Sequence, residues 1–219
     1  MTSTLTSNPV STVLQRLLAA EQDGDPAAFA AVGGFPLESG AAERAELFKD
    51  VYMSVSATGG ELLYLLTRAV GARTVVEYGT SFGVSTIYLA SAVRDNGGGT
   101  VVGTELQPDK AAAAQRNFES AGLDDVIDLR IGDARDTLSA LSDPVDLVLL
   151  DGWPELALPV LKILEPRLRT GALVLIDDVN HDFGNDAHGA LLRYLSESSD
   201  YLSVTLPVGD GIEACIRLT

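Results

Sequence analysis

The chain has 219 residues, enough for one large domain with a substantial core; its apolar fraction is ordinary and its aromatic residues are few. A formal net charge of −16 excludes a nucleic-acid partner from the expectations, because phosphate contacts need clustered Lys and Arg, and it serves solubility instead. No apolar run reaches the roughly 18 residues that cross a bilayer, and the N-terminus has neither a basic n-region nor an apolar h-region. The lone Cys215 can form no internal disulfide, so a cytoplasmic protein without membrane contact is expected.

The first eight residues are rich in Ser and Thr and read as loose. "STVLQRLLAAEQDG" then reads as an amphipathic helix opened by Ser11. A second helix is predicted over "ESGAAERAELFKDVYMSV", and a third over "TGGELLYLLTRAVGA", where leucines recur at helical spacing up to Gly71. These three form a helical N-terminal cap, residues 1–70 of a single 219-residue domain.

After Gly71 strand and helix alternate. "TVVEYG" is a β-branched strand, and "STIYLASAVRDNG" a helix that stops at glycines. "TVVGTEL" is the second strand. "PDKAAAAQRNFESAG" opens with Pro108 in its first turn and stops at Gly122, the usual punctuation of a helix. "VIDLRIGD" with the short helix "ARDTLSAL", "VDLVLLD" with the helix "ELALPVLKILEPRLRTG", and "ALVLIDDV" with the helix "AHGALLRYLSESS" continue the alternation. "YLSVTLPVGDGIEACIRL" closes the chain as two strands around a Gly-Asp-Gly turn, with Cys215 a buried thiol.

Alternation of this kind gives a parallel sheet with helices on both faces. The last two strands are joined too tightly for a crossover, so that connection is antiparallel. The fold class is therefore α/β: a Rossmann-like, seven-stranded, mostly parallel sheet with one antiparallel strand near the edge, over residues 71–219.

"VVEYGTSFGVST" follows the first strand and opens a helix. Gly79 and Gly83 stand wider apart than the first pair of the dinucleotide fingerprint, which leaves a roomier turn than a pyrophosphate needs. Glu77, just before the turn, would repel a phosphate and attract an ammonium group. Both points disfavour a nicotinamide oxidoreductase. Glu105 ends the second strand where an acid suits a ribose diol, and Asp133 ends the third within reach of an adenine amino group. Each acid alone reads equally well as a helix cap. Three at consecutive strand ends with the glycine turn between them read as a ligand site.

"VVEYGTSFGVST", "GTEL", "GDA" and the terminal "GDGIEA" resemble the class I S-adenosylmethionine-dependent methyltransferases, and more narrowly the small O-methyltransferases related to catechol O-methyltransferase and the caffeoyl-CoA enzymes. The resemblance runs from about Val51 to Thr219. It implies that Glu77 holds the methionine ammonium, directly or through water, that Gly79 and Gly83 permit the turn, and that Ser81 and Ser85 hydrogen-bond the methionine end. It implies Glu105 on the ribose hydroxyls with Leu106 beside the adenine, Asp133 and Ala134 on the adenine edge, and Trp153 on its face. Met53 and Val55 correspond loosely to a segment that covers the cofactor. For Ser85 and Trp153, helix capping and core packing are the competing readings.

Asp151 ends the fourth predicted strand, and Asp177 and Asp178 end the fifth. Neighbouring strand ends would bring three carboxylates together, and their repulsion is relieved by a hard divalent cation such as Mg²⁺. The resemblance places there a metal that chelates two adjacent hydroxyls of a small acceptor. Asp178 stands where the mammalian catechol enzyme has Asn, and bacterial relatives carry either. In-line attack on the sulfonium methyl needs an aligned oxygen that has lost its proton. The family's usual proton acceptor is a lysine three positions after the metal-binding Asp, and here that position is Pro154. Three readings stay open: a metal alone acidifies the acceptor; another base is recruited, with His181 the leading candidate; or the protein binds cofactor without efficient catalysis. His181 also reads as a surface-loop residue and His188 as a helix-surface one. Glu213 matches a substrate-contacting acid of the catechol enzyme. The loop "NHDFGNDAH" and the N-terminal helices are expected to shape the acceptor pocket, and the resemblance implies a homodimer.

Overall fold

The computed structural model describes residues 3–33, 39–141, 143–183 and 186–219. Among the described residues there are eight α-helices, three of them before Gly71, and seven strands; after Gly71 strand and helix alternate as expected until the closing pair of strands. The elements are α1 (Asn8–Val32), α2 (Ala41–Leu47), α3 (Ala57–Ala69), β1 (Thr74–Tyr78), α4 (Val84–Asp95), β2 (Thr100–Glu105), α5 (Pro108–Ala121) and β3 (Ile127–Ile131). Then follow α6 (Ala134–Thr137), β4 (Val145–Leu150), α7 (Pro154–Leu164), β5 (Leu168–Ile176), α8 (Gly189–Glu197), β6 (Tyr201–Leu206) and β7 (Ile212–Arg217). No helix among the described residues is long and apolar enough to cross a membrane.

The strands form one sheet in the order β3-β2-β1-β4-β5-β7-β6. All neighbours are parallel except that β7 runs antiparallel to both β5 and β6. The reversed strand thus lies one place in from the edge, because the Gly-Asp-Gly turn folds β7 back between β5 and β6. Side chains alternate between the two faces with the strand period of two. Val75, Leu147, Leu149 and Leu175 pack in the core beneath α1, α3, α4 and α5. Val76, Val148, Leu150, Val174 and Ile176 pack in the core beneath α6, α7 and α8. Cys215 is buried in that second core, as its setting predicts.

Four local expectations are corrected. The segment before α1 is pinned: Thr4–Thr6 forms a 3-10 turn, and the Asp95 carboxylate accepts from the Thr4 backbone N–H at 3.0 Å and from the Tyr64 hydroxyl at 2.7 Å. Helix α1 starts at Asn8, with Pro9 in its first turn, and runs through Gly24 and Pro26 to Val32.

The second predicted helix is cut short at Leu47; its start, Glu38, lies outside the described residues. Beyond Val51 the backbone N–H groups are claimed by carboxylates of α1. Asp25 accepts from Tyr52 at 2.8 Å and from Met53 at 3.0 Å, and Glu21 accepts from Ser54 at 2.8 Å. A helical segment would need those donors for its own carbonyls. The fourth correction is at Pro166, where the helix predicted up to Gly171 gives way to a 3-10 turn and β5 begins early, at Leu168.

Candidate active site

The sheet reverses its winding between β1 and β4, and ligands of open α/β sheets bind outside the carboxyl ends of the strands at such a switch point. A cavity opens there. Its walls come from the ends of β1, β2, β4 and β5, from the Tyr52–Ser54 segment, and from Phe183 and His188.

Backbone bonds carry the ladder past the strand ends and so set the floor of the cavity. Asp151 N–H donates to the Tyr78 carbonyl at 2.8 Å, Asp177 N–H to the Leu150 carbonyl at 3.2 Å, and Gly132 N–H to the Glu105 carbonyl at 2.8 Å. Gly79, at φ 99°, passes so close to β4 that a Cβ would stand 2.4 Å from the Asp151 carbonyl oxygen. Gly83, at φ 92°, instead lets the start of α4 sit against the Phe118 ring. Three non-glycine residues adopt positive φ among those described: Met53 at 49°, Ser81 at 47° and Asp178 at 59°. All three line this cavity. Backbone held in sparsely populated conformations concentrates at functional sites, where surrounding contacts over-determine it.

The wall along the glycine turn is built by Glu105. Its Oε2 accepts from the Ser81 backbone N–H at 2.7 Å, and its Oε1 from the Gln107 N–H at 2.8 Å. Each oxygen keeps lone pairs for a further donor. The Ser81 hydroxyl donates to the Tyr52 carbonyl at 2.8 Å, which ties the Tyr52–Ser54 segment to the turn. The Tyr52 and Phe82 rings stack at 4.1 Å beside it. Leu106, Ala134 and Ser85 also line the cavity. Asp133 does too, but as the N-cap of α6 it accepts from the Arg135 N–H at 2.9 Å and pairs with the Arg135 guanidinium. That guanidinium holds the Asp133 carboxyl below the usual carboxylate range. Trp153 is clamped, with Phe48 at 5.9 Å on one side and the Arg44 guanidinium 4.9 Å from its ring centre. Arg44 also pairs with Glu155.

Asp151, Asp177 and Asp178 line the same cavity. Burial pushes the Asp151 carboxyl well above the ordinary range, and the charges of Asp177, Asp178 and Glu77 push it further. Asp177 is raised to about 7 by burial and by Asp178. Asp178 is raised by burial, while His181 pulls it down. The donor set is all hard oxygen, the chemistry a divalent cation such as Mg²⁺ prefers. Among the described residues, though, no three His, Cys, Asp or Glu side chains are gathered closely enough to form a metal site as they stand.

Four residues singled out in the sequence lie off the cavity wall. Glu77 is wholly buried beneath the glycine turn, where its Oε2 accepts from the hydroxyls of Thr80 at 2.8 Å and Thr86 at 2.5 Å. Burial raises its pKa, against the lowering effect of the Thr86, Ser85 and Thr80 hydroxyls. The Val55 side chain packs in the core with α3 and α4 rather than facing the cavity. Glu213 sits in register opposite Ile176 and accepts from the Thr205 hydroxyl. His181 is half exposed, with its Nδ1 3.5 Å from the Asp210 carboxylate.

The cavity also contains residues that sequence reasoning missed. Lys110, buried in the first turn of α5, reaches 3.2 Å from the Ser81 hydroxyl, and burial lowers its pKa. The expectation for His188 is corrected. It is not on a helix surface but buried just before α8, 8% exposed, lining the cavity beside Phe183. Of the loop expected to shape the pocket, Gly184 and Asn185 lie outside the described residues. Neither lysine nor histidine carried a local signal, since each reaches the cavity through the docking of its helix.

Comparison with known proteins agrees with this geometry. The profile of a methyltransferase domain matches residues 76–179. A catechol O-methyltransferase of Mycobacterium tuberculosis is 37% identical over 156 residues, covering 71% of this chain and 66% of that protein, so the chain spans just under two thirds of that relative's length. A Mycolicibacterium smegmatis protein carrying an O-methyltransferase assignment is 31% identical, covering 75% of this chain and 83% of its own. Among solved structures, cofactor-bound Rv0187 from MTB superposes with a TM-score of 0.71 at 29% identity, covering 88% of this chain and 97% of that one. The strand order with its single reversed strand, the cavity at the switch point and these similarities lead to one conclusion: the chain belongs to the catechol O-methyltransferase-like family of class I S-adenosylmethionine-dependent O-methyltransferases.

Proposed function

We propose that this protein transfers the methyl group of S-adenosylmethionine to a hydroxyl oxygen of a small phenolic acceptor, assisted by a divalent cation. The observation that carries the reading is the pairing, in one cavity, of the Glu105 and Ser81 wall with the three carboxylates Asp151, Asp177 and Asp178. The first is suited to a ribose and a methionine end, the second to a cation beside a hydroxylated ring.

In this reading Glu105 accepts from the ribose hydroxyls with its free lone pairs. Asp133, Ala134 and Leu106 border the adenine, and Trp153, fixed by Phe48 and Arg44, packs on its face. Met53 and the tethered Tyr52–Ser54 segment cover the cofactor and exclude water. Ser81 and Ser85 orient the methionine end, and Glu77 acts from beneath the turn on the ammonium. Bound cofactor supplies an electrophilic methyl carbon, and a bound cation lowers the pKa of an acceptor hydroxyl that would otherwise lie near ~10. The carboxylates hold the acceptor's end of the cavity, so that its oxygen meets the methyl carbon in line.

The test is incubation with labelled S-adenosylmethionine and a panel of catechols, with and without Mg²⁺. Label transfer that EDTA abolishes, and that Asp151→Ala removes while much cofactor affinity survives, is the expected result. No transfer across the panel under either condition refutes the reading. A metal-independent variant is favoured by one observation, that the carboxylates as placed do not gather around one point. It expects transfer undiminished in EDTA. In that variant the proton goes to a protein base, for which the sequence points to His181. A cofactor-binding protein without catalysis would show tight S-adenosylmethionine binding by calorimetry and no acceptor.

A further inference from the structure

We propose that His188 is the general base of this site, taking the proton from the acceptor hydroxyl where the family's lysine is replaced by Pro154. This rests on the methyl-transfer reading above. Pro154 lines the cavity as the first residue of α7, and proline can hold no proton. The acceptor's proton therefore needs another destination.

Asp151, Asp177 and Asp178 are the carboxylates that the reading above gives to a cation, and four further titratable groups of the cavity are engaged. Asp133 is held by Arg135, and both oxygens of Glu105 accept backbone N–H groups. The Tyr78 hydroxyl donates to the Trp153 carbonyl at 3.2 Å, and Lys110 sits at the glycine turn on the Ser81 hydroxyl. His188 differs from all of them. It is more than nine-tenths buried, yet neither Nδ1 nor Nε2 has a hydrogen-bond partner. A buried imidazole with both nitrogens unsatisfied costs stability unless a ligand or water completes it, and an acceptor hydroxyl entering the cavity is a partner of that kind. Its ring is oriented by Phe183, edge to face at 5.7 Å. Phe183 also contacts the His181 ring at 4.6 Å, so this one aromatic lies between an outer histidine and an inner one. Burial lowers the pKa of His188 below the ordinary histidine value, which keeps the imidazole neutral and able to accept a proton.

The step balances. The acceptor O–H proton passes to an imidazole nitrogen, and the oxygen's electron pair forms the bond to the methyl carbon. The carbon–sulfur bond breaks with its electrons to sulfur, leaving the neutral thioether, and the imidazolium then releases its proton to solvent.

The experiment compares wild type, His188→Gln and His188→Ala with a catechol that the wild type methylates. General-base removal is expected to lower kcat by about 10²- to 10⁴-fold. Affinity for S-adenosylhomocysteine should stay within about threefold, and added imidazole should restore part of the His188→Ala rate. A second readout needs no turnover: the His188 ring resonances should shift when the catechol is added to the S-adenosylhomocysteine complex. His188→Gln with kcat within about threefold of wild type overturns the proposal, as do unshifted ring resonances in a catechol-saturated complex. Absence of transfer by the wild type itself overturns the methyl-transfer reading and this proposal together. A silent His188→Gln in an active wild type overturns this proposal alone.

Discussion

The carboxylate of Glu105 accepts the backbone N–H of Ser81 at 2.7 Å, joining the end of β2 to a serine held at φ 47° in the glycine turn. A strand-end acid therefore holds a strained turn and faces the cavity at once. Glu105→Gln keeps the shape but loses the charge that strengthens both backbone bonds and any ribose bond. Hydrogen bonds to charged groups contribute ~1.5–3 kcal/mol. Calorimetric titration with S-adenosylhomocysteine is expected to show affinity lowered by about ten- to a hundredfold. Unchanged affinity would remove Glu105 from the cofactor wall.

Gly79→Ala is expected to be among the most damaging single-methyl additions to this chain. The new Cβ would stand 2.4 Å from the Asp151 carbonyl oxygen, which is backbone and cannot swing away, and φ 99° is itself unfavourable for alanine. A loss of ~2–4 kcal/mol in urea denaturation is expected, at the upper end of what point mutations do. By contrast, the Cβ of Gly83→Ala would meet a side chain, the buried Phe118 ring, rather than backbone, although φ 92° still strains the backbone there. The smaller loss should therefore be at Gly83.

The raised pKa of Asp177 gives stability a defined pH dependence. Its folded value of about 7 exceeds the ordinary 3.8, so the folded protein binds a proton more tightly than the unfolded chain. That contribution is complete below the unfolded pKa and is lost as pH rises through 7. In EDTA, Asp177→Asn should therefore gain thermal stability relative to wild type between pH 5 and pH 8. Scanning calorimetry of the two proteins measures the difference directly. Parallel Tm curves would show that Asp177 is not held in this way. Millimolar Mg²⁺ at pH 8 should raise the wild-type Tm and leave the variant's nearly unchanged, if the carboxylates gather around a cation.

Asp25 offers a test of the N-terminal helices. Its carboxylate, 8% exposed on α1, accepts the N–H groups of Tyr52 and Met53 and so fixes a cavity wall from 27 residues away in sequence. Asp25→Ala leaves both donors unsatisfied, at a cost of ~1.5–3 kcal/mol. Cofactor affinity should fall along with stability, by about tenfold. A variant that loses stability but keeps full affinity would show that the Tyr52–Ser54 segment does not cover the ligand.

By itself the sequence determined the α/β alternation, the single reversed strand and the placing of acids at the ends of β1, β2, β3, β4 and β5. Those features follow from local rules: a period-two strand, glycine and proline punctuation, and a hairpin too short to cross over. Asp151, Asp177, Asp178, Glu105 and Asp133 line the cavity because parallel neighbours in register bring consecutive strand ends to one edge. What only the tertiary structure decided is everything that depends on elements meeting across the chain. The second helix stops at Leu47 because carboxylates of α1 take the donors beyond Val51, which no window around that segment reveals. Lys110 and His188 reach the cavity because α5 and α8 dock as they do. His181, which reads better as a base from its place in the loop, pairs with Asp210 off the cavity wall. Local pattern fixes which residues end a strand, whereas burial, and with it the proton affinity of a histidine, is set by what packs over it.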